Sequence, residues 1–230
     1  MRAPERGPCG RGTPGWRWLD IRKLAHLTCS RNTLWEKPEV KRVVYCTAPI
    51  KGSPSARKDQ ATYIRALESS HSVDIVEYGN FVERVNRGPL ATIGSKGQPQ
   101  LVHPSQLRLY GDTPGMKVMS DRVMVSYLKR EEKGSDVNVA SHLLVDVYEG
   151  RIDAALVVSN DSDLEFAVKM ARTKIPVGVV NPTKARLVGK LAARSDFGAG
   201  KHFSKQLTSA HFTQNQLPDP AGSFRKPVDW

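Results

Sequence analysis

The residues of this chain best suited to chemistry are aspartates that follow apolar runs. Ala154–Val158 is continuously apolar, as expected of a strand covered on both faces. Asp161 and Asp163 come directly after it, in L-V-V-S-N-D-S-D-L at 156–164, where a helix is expected to begin. Ligands of open α/β sheets gather at the carboxyl ends of strands, so both side chains are expected in such a crevice. A second carboxylate arrives the same way. The turn K-G-S-D-V-N at 133–138 follows an expected strand at 122–129, which puts Asp136 and Asn138 at a neighbouring strand end. Crowded carboxylates repel one another and favour a bound cation. Hard divalent ions such as Mg²⁺ or Mn²⁺ prefer carboxylate oxygens, and a pair of them roughly 3.5–4 Å apart suits phosphodiester cleavage. The plainer reading is capping. Asn160, Asp161 and Ser162 are all good N-caps for a helix starting near Leu164, and Asp136 sits at or near the N-cap of its own helix.

The elements that must position these groups follow from periodicity. Leu19, Leu24 and Leu27 suggest a short amphipathic helix over 18–29. Val40–Cys46 reads as a strand, Ala56–Ser69 as a helix and Val73–Tyr78 as a second strand, together a βαβ unit. Residues 79–115 are weakly patterned and rich in Gly and Pro, and read as an irregular insertion or hairpin. Val137, Ala140, Leu144 and Val147 follow helical spacing over Asp136–Tyr148, widened by Val139 and Leu143. Leu164–Arg172 reads as a helix, Val177–Val180 as a buried strand stopped by Asn181-Pro182, and 184–193 as a further helix. Strands alternating with helices predict an α/β fold with a mostly parallel sheet covered on both faces. The expected organisation is a disordered or mis-assigned N-terminus over 1–15, one domain over 16–195 and a polar C-terminal tail over 196–230.

Charge adds a second argument. The chain carries a net +12, yet residues 131–182 hold 5 Lys/Arg against 9 Asp/Glu, so an acidic window sits in an otherwise basic chain. That pattern suits a metal-dependent enzyme acting on a polyanion, or an ordinary basic protein with one solvated acidic helix. No run approaches the ~18 apolar residues of a membrane span, and the N-terminus has no apolar segment of the signal-peptide kind. Cys9, Cys29 and Cys46 form no CxxC pair, which argues against a structural zinc site or disulfide framework and for a reducing cytoplasm.

Three linked motifs make the chain recognisable. E-K-G-S-D-V-N-V-A at 132–140 with L-V-D-x-Y at 144–148, then D-A-A-L-V-V-S-N-D-S-D-L at 153–164, then P-V-G-V-V-N-P at 176–182, resemble in order and spacing the central motifs of NYN domains. G-T-P-G-W-R-W-L-D at 12–20 and the unit at 40–78 extend the resemblance to roughly 12–195. The resemblance implies a PIN-like nuclease: a three-layer α/β/α Rossmann-like domain with a Mg²⁺ or Mn²⁺ site. It implies a metal-dependent endoribonuclease cleaving RNA, with Asp136, Asp161 and Asp163 as catalytic metal ligands. Ser159 and Asn138 are implied as supporting polar groups. The chain departs from the pattern at its start. Such domains open with a strand and a D-G-x-N motif, whereas M-R-A-P-E-R-G-P-C-G-R precedes Gly12 here, with no apolar strand and no aspartate. A late start or frameshift would explain this, and weakened metal binding would follow. The alternative is an RNA-binding protein without catalysis. A haloacid-dehalogenase-type phosphohydrolase is disfavoured, because Glu165 stands where that chemistry wants Thr or Val.

Overall fold

The computed structural model describes residues 17–106, 122–193, 196–228 and 230. The expectations for residues 1–15, including the missing D-G-x-N segment, lie outside them. The chain divides into two compact units, one running to Asn80 and resuming at Glu132, the other spanning Phe81–Glu131.

The first unit opens with helix α1, Ile21–Ser30. Asp20 caps it by accepting from the Lys23 N–H at 3.0 Å, and Ser72 Oγ donates to the same carboxylate oxygen at 2.8 Å. Strand β1 (Val44–Thr47) and strand β2 (Ile75–Tyr78) pair in parallel, Val44 opposite Ile75 and Thr47 opposite Tyr78. Helix α2, Pro54–Ser69, makes the crossover, with Ser53 as N-cap and Pro54 in the first turn, where its missing N–H costs nothing. Trp18, Val43, Ala66, Leu67 and Val73 form the core between these elements, joined by Leu217 and Ala221 from the far end of the chain.

Helix α3, Ser135–Tyr148, follows, then strand β7 (Ala155–Val158), a 3₁₀ turn at Ser162–Leu164 and helix α4 (Glu165–Arg172). Strand β8 (Val177–Asn181) and strand β9 (Phe203–Gln206) complete a three-stranded parallel sheet in the order β7-β8-β9, and the short helix α5 covers Ser209–Thr213. Every residue of β8 is buried. Val177 and Val179 pack into a core with Leu143, Val157, Leu164, Val168 and Leu191, each such side chain contributing roughly 1.5–3 kcal/mol by burial.

In the second unit, strand β3 (Asn80–Pro89) is the partner of strand β6 (Met124–Lys133). Strands β4 (Ala91–Ile93) and β5 (Pro99–Leu101) pair antiparallel, Thr92 opposite Gln100. Arg84 pairs with Glu131 at 3.0 Å and Arg130 with Glu83 at 2.9 Å. The insertion expected at 79–115 thus holds, over its described part, the ten-residue strand β3 paired with β6 and the short antiparallel pair β4–β5.

Three expectations are corrected. The fold is not a three-layer α/β/α Rossmann-like domain on one mostly parallel sheet: the described strands fall into four separate sheets of two or three strands, one of them antiparallel. Alternation along the chain orders strands and helices but does not decide which strand edges meet, and here β1–β2 and β7–β9 do not pair with each other. The 196–230 segment is not a polar tail, because β9 pairs with β8 and Leu207, Phe212, Leu217 and Ala221 are buried. The helix expected at 184–193 is only a 3₁₀ turn at Gly189–Leu191. Side-chain amides hold the backbone before it instead. No helix among the described residues is long and apolar enough to cross a membrane.

Candidate functional site: a carboxylate group at strand ends

The site is built on a close approach of backbone. After β2 the chain passes Gly79, whose N–H donates to Thr47 O at 2.7 Å. A Cβ at this residue would lie 2.5 Å from Lys133 O and 2.8 Å from Ser135 Oγ, inside any tolerable contact. Only glycine lets the end of β2 touch the start of α3. Gly134 caps α3 with a φ of 93°, a conformation that costs glycine little and other residues more. Its lack of a side-chain cap corrects one reading: Asp136 lies inside the first turn and does not cap the helix. Asn138 is half-buried on the same turn.

Asp136 is exposed, yet its carboxyl is pushed above the ordinary carboxylate value. Desolvation is the largest cause, followed by the charges of Asp161, Asp163 and Glu132. The structure therefore brings together the three aspartates singled out in the sequence and adds a fourth carboxylate. Asp161 does act as a cap. Its Oδ1 accepts from the Asp163 N–H at 3.0 Å, and its own N–H donates to Ser159 Oγ at 3.1 Å. Ser159 thus shapes the turn that presents Asp161.

Cys46, near the end of β1, faces the same group. Burial, then Glu77 and Asp136, push its thiol up to about 11. It stays protonated at neutral pH, which argues against a nucleophilic role. Glu77, on β2, reaches His142 of α3, with Nε2 and Oε1 3.2 Å apart. Arg42 donates to His142 Nδ1 at 3.2 Å, so Nε2 carries the proton that faces Glu77. Arg42 also pairs with the buried Asp146, which Arg151 approaches at 3.4 Å. This chain of charges pins α3 against β1 and β2. Sequence reasoning missed Glu77 and Glu132, and it gave Cys46 and His142 no part in the site. The one available signal was Glu77 at a strand end two residues before a glycine.

Asn160, expected as a cap, crosses instead to the segment after β8. Its Oδ1 accepts from Val188 N–H at 2.9 Å, and its Nδ2 donates to Arg186 O at 3.2 Å.

The metal assignment is corrected by this geometry. Among the described residues no group of three or more His, Cys, Asp and Glu side chains is placed to hold a metal ion. Asp136, Asp161 and Asp163 interact through charge but do not form a Mg²⁺ or Mn²⁺ ligand set. The exposed carboxylates repel one another, and Asp161 spends an oxygen on a backbone N–H.

No protein-family model and no solved structure matches the chain. Among curated proteins it is similar to the 6-hydroxy-3-succinoylpyridine 3-monooxygenase HspA of Pseudomonas putida (strain DSM 28022 / S16). The two are 29% identical over an alignment of 229 positions that covers 91% of this chain and 66% of the relative. The chain spans just under two thirds of that protein's length. The relative is named as a monooxygenase, and this overturns the expectation of a metal-dependent ribonuclease, a hydrolase acting on RNA, together with its alternative of RNA binding without catalysis. The RNA partner implied by the same resemblance keeps only the basic charge as support.

Proposed function

We propose that the chain is an oxidoreductase that hydroxylates the ring of a small hydroxylated aromatic acid, with Asp136 taking the proton of the ring hydroxyl. The likeness to the named monooxygenase, over nine tenths of the chain, carries this reading. A monooxygenase places one oxygen atom of O₂ in its substrate and reduces the other to water, so a two-electron reductant must be supplied. The chain's own residues supply the other requirement, a base. A ring hydroxyl that loses its proton sends electron density to the carbon opposite, positions 6 and 3 of a pyridine standing in that relation; oxygen that enters at position 3 breaks the bond to the acyl arm, which leaves with a hydroxyl from water as the carboxylic acid. A carboxylate raised above its ordinary value is better matched to such a proton than a solvated one. Asp136 meets that condition through its partial desolvation and its neighbours Asp161, Asp163 and Glu132. Ser159 shapes the turn that presents Asp161, and Asn138 lies in the first turn of α3 with Asp136.

The test is oxygen consumption and product formation by the purified chain with 6-hydroxy-3-succinoylpyridine and a nicotinamide reductant. Substrate-dependent uptake is expected. Asp136→Asn is expected to lower turnover by about 10²-fold or more, the usual worth of a general base. No uptake with the wild type, or full activity in the variant, would sink the proposal. The free thiols of Cys29 and Cys46 support a reducing, cytoplasmic compartment. Kinship with NYN domains is proposed as a matter of descent alone, supported by the motifs at 132–148, 153–164 and 176–182.

A further inference from the structure

The segment 182–188, between β8 and the 3₁₀ turn at Gly189–Leu191, is held in one shape by three side-chain amides from three strand ends. Asn181, fully buried, donates to Ala185 O at 2.7 Å and accepts from both the N–H and the hydroxyl of Thr183 at 2.8 Å. Gln206, the last residue of β9, donates to Thr183 O at 2.6 Å. Asn160, just past β7, holds Arg186 O and Val188 N–H. Rigid loops on a sheet are where binding groups are carried, and this one presents Arg186.

Arg186 is exposed, and its guanidinium makes no hydrogen bond or ion pair among the described residues. Its place is nonetheless defined. β7 and β8 run in parallel, Val158 opposite Val180, so the turn bearing Asp161 and Asp163 and the loop bearing Arg186 leave the same end of adjacent strands. Adjacent strands lie about 4.8 Å apart, and the Asn160 side chain spans the gap, one residue before Asp161. The backbone of Arg186 is held while its exposed guanidinium has no partner among the described residues, so it is open to an external anion, and the planar fork of Arg matches a carboxylate in particular.

We propose that Arg186 determines substrate specificity by binding the carboxylate of an acid arm, while the ring of the same molecule faces Asp136. This rests on the oxidoreductase reading above. A succinoyl substituent, which ends in a carboxylate, is the kind of arm that fits.

Two measurements separate the two ideas. The first needs no turnover: succinate alone is titrated into the full chain by calorimetry, with thermal unfolding confirming that each variant folds. Arg186→Gln is expected to weaken succinate about tenfold, in line with loss of a charge-assisted pair, and Lys169→Gln, an exposed cation on α4, to leave it unchanged. No succinate binding by the wild type, equal weakening in both variants, or no effect of Arg186→Gln overturns the assignment. The second compares the acid-armed pyridine with its neutral amide. Arg186→Gln should raise KM for the acid about tenfold with kcat held within about twofold, and leave KM for the amide unchanged. An equal rise for acid and amide removes the subsite while leaving the oxidoreductase standing. Succinate binding lost with Arg186, in a chain that hydroxylates neither compound, removes the oxidoreductase while leaving the subsite.

Discussion

Gly79 is the residue on which the site's geometry can be tested most directly. Replacing it with alanine adds one methyl group between the end of β2 and the start of α3. The new Cβ would sit 2.5 Å from Lys133 O, 2.8 Å from Ser135 Oγ and 3.0 Å from Ser135 N. Two of these three atoms belong to backbone, so no side-chain rotation relieves the clash. Reaching even a tight 3.0 Å contact needs a retreat of about 0.5 Å by the turn that caps α3, against the bond between Gly79 N–H and Thr47 O. Overpacking of this kind costs about 1–3 kcal/mol. For a chain of this size that lowers the Tm by about 2–4 °C per kcal/mol, hence about 4–8 °C for a central cost of about 2 kcal/mol. The same retreat shifts the first turn of α3, which carries Asp136. The assay is thermal unfolding by circular dichroism beside the hydroxylation assay, with Gly97→Ala as a comparison on an open turn, where a Cβ meets nothing within 4 Å although its φ of 76° adds some strain. If Gly79→Ala melts within about 1 °C of the wild type and keeps full activity, the contact between β2 and α3 does not position the site.

Two further outcomes concern charge. The carboxyl of Asp136 is raised in the folded chain, so its stabilising protonated form is complete below the ordinary carboxylate range and stability is lost as pH rises through the raised value. Asp136→Asn should therefore raise the Tm at pH 7.5 and give no gain at pH 4, the gain staying below about 1 kcal/mol because the side chain is exposed and screened. A variant less stable than wild type at pH 7.5 would contradict the assigned repulsion. Arg42→Met removes the main partner of buried Asp146 and the donor to His142 Nδ1, leaving only Arg151 at 3.4 Å. Fully buried pairs cost about 3–5 kcal/mol when one partner is lost. With Arg42 part-exposed, a loss of about 2 kcal/mol is expected in urea unfolding, and a change within error would show that the pair is solvated.

The apolar runs and helical spacings located most elements within a few residues: α1, α2, α3, β7, α4 and β8 are all where periodicity puts them. The conjunction of Asp136, Asp161 and Asp163 was also legible, because each follows a strand that must end at a sheet edge. The cap assignments were only half legible. Asp161 caps its turn, but the N-cap position of α3 falls on Gly134, which leaves Asp136 inside the first turn. The chemistry drawn from the three carboxylates did not follow from them. Proximity of charges suits a metal in one geometry and a raised proton affinity in another, and spacing along the chain does not separate the two.

What the sequence by itself determined, then, is local: where strands and helices lie, which side chains stand at strand ends, and that an acidic window sits in a basic chain. Which strands pair was decided only by tertiary structure, because ladder bonds depend on edges meeting in space. So was the packing of residues 203–221, whose apolar side chains are too sparse to signal burial but fill gaps left by Trp18, Leu67 and Leu24. The rigid loop carrying Arg186 belongs here as well. Asn160, Asn181 and Gln206 are ordinary amides in the sequence, and only the parallel sheet brings them within hydrogen-bonding reach of one segment of backbone.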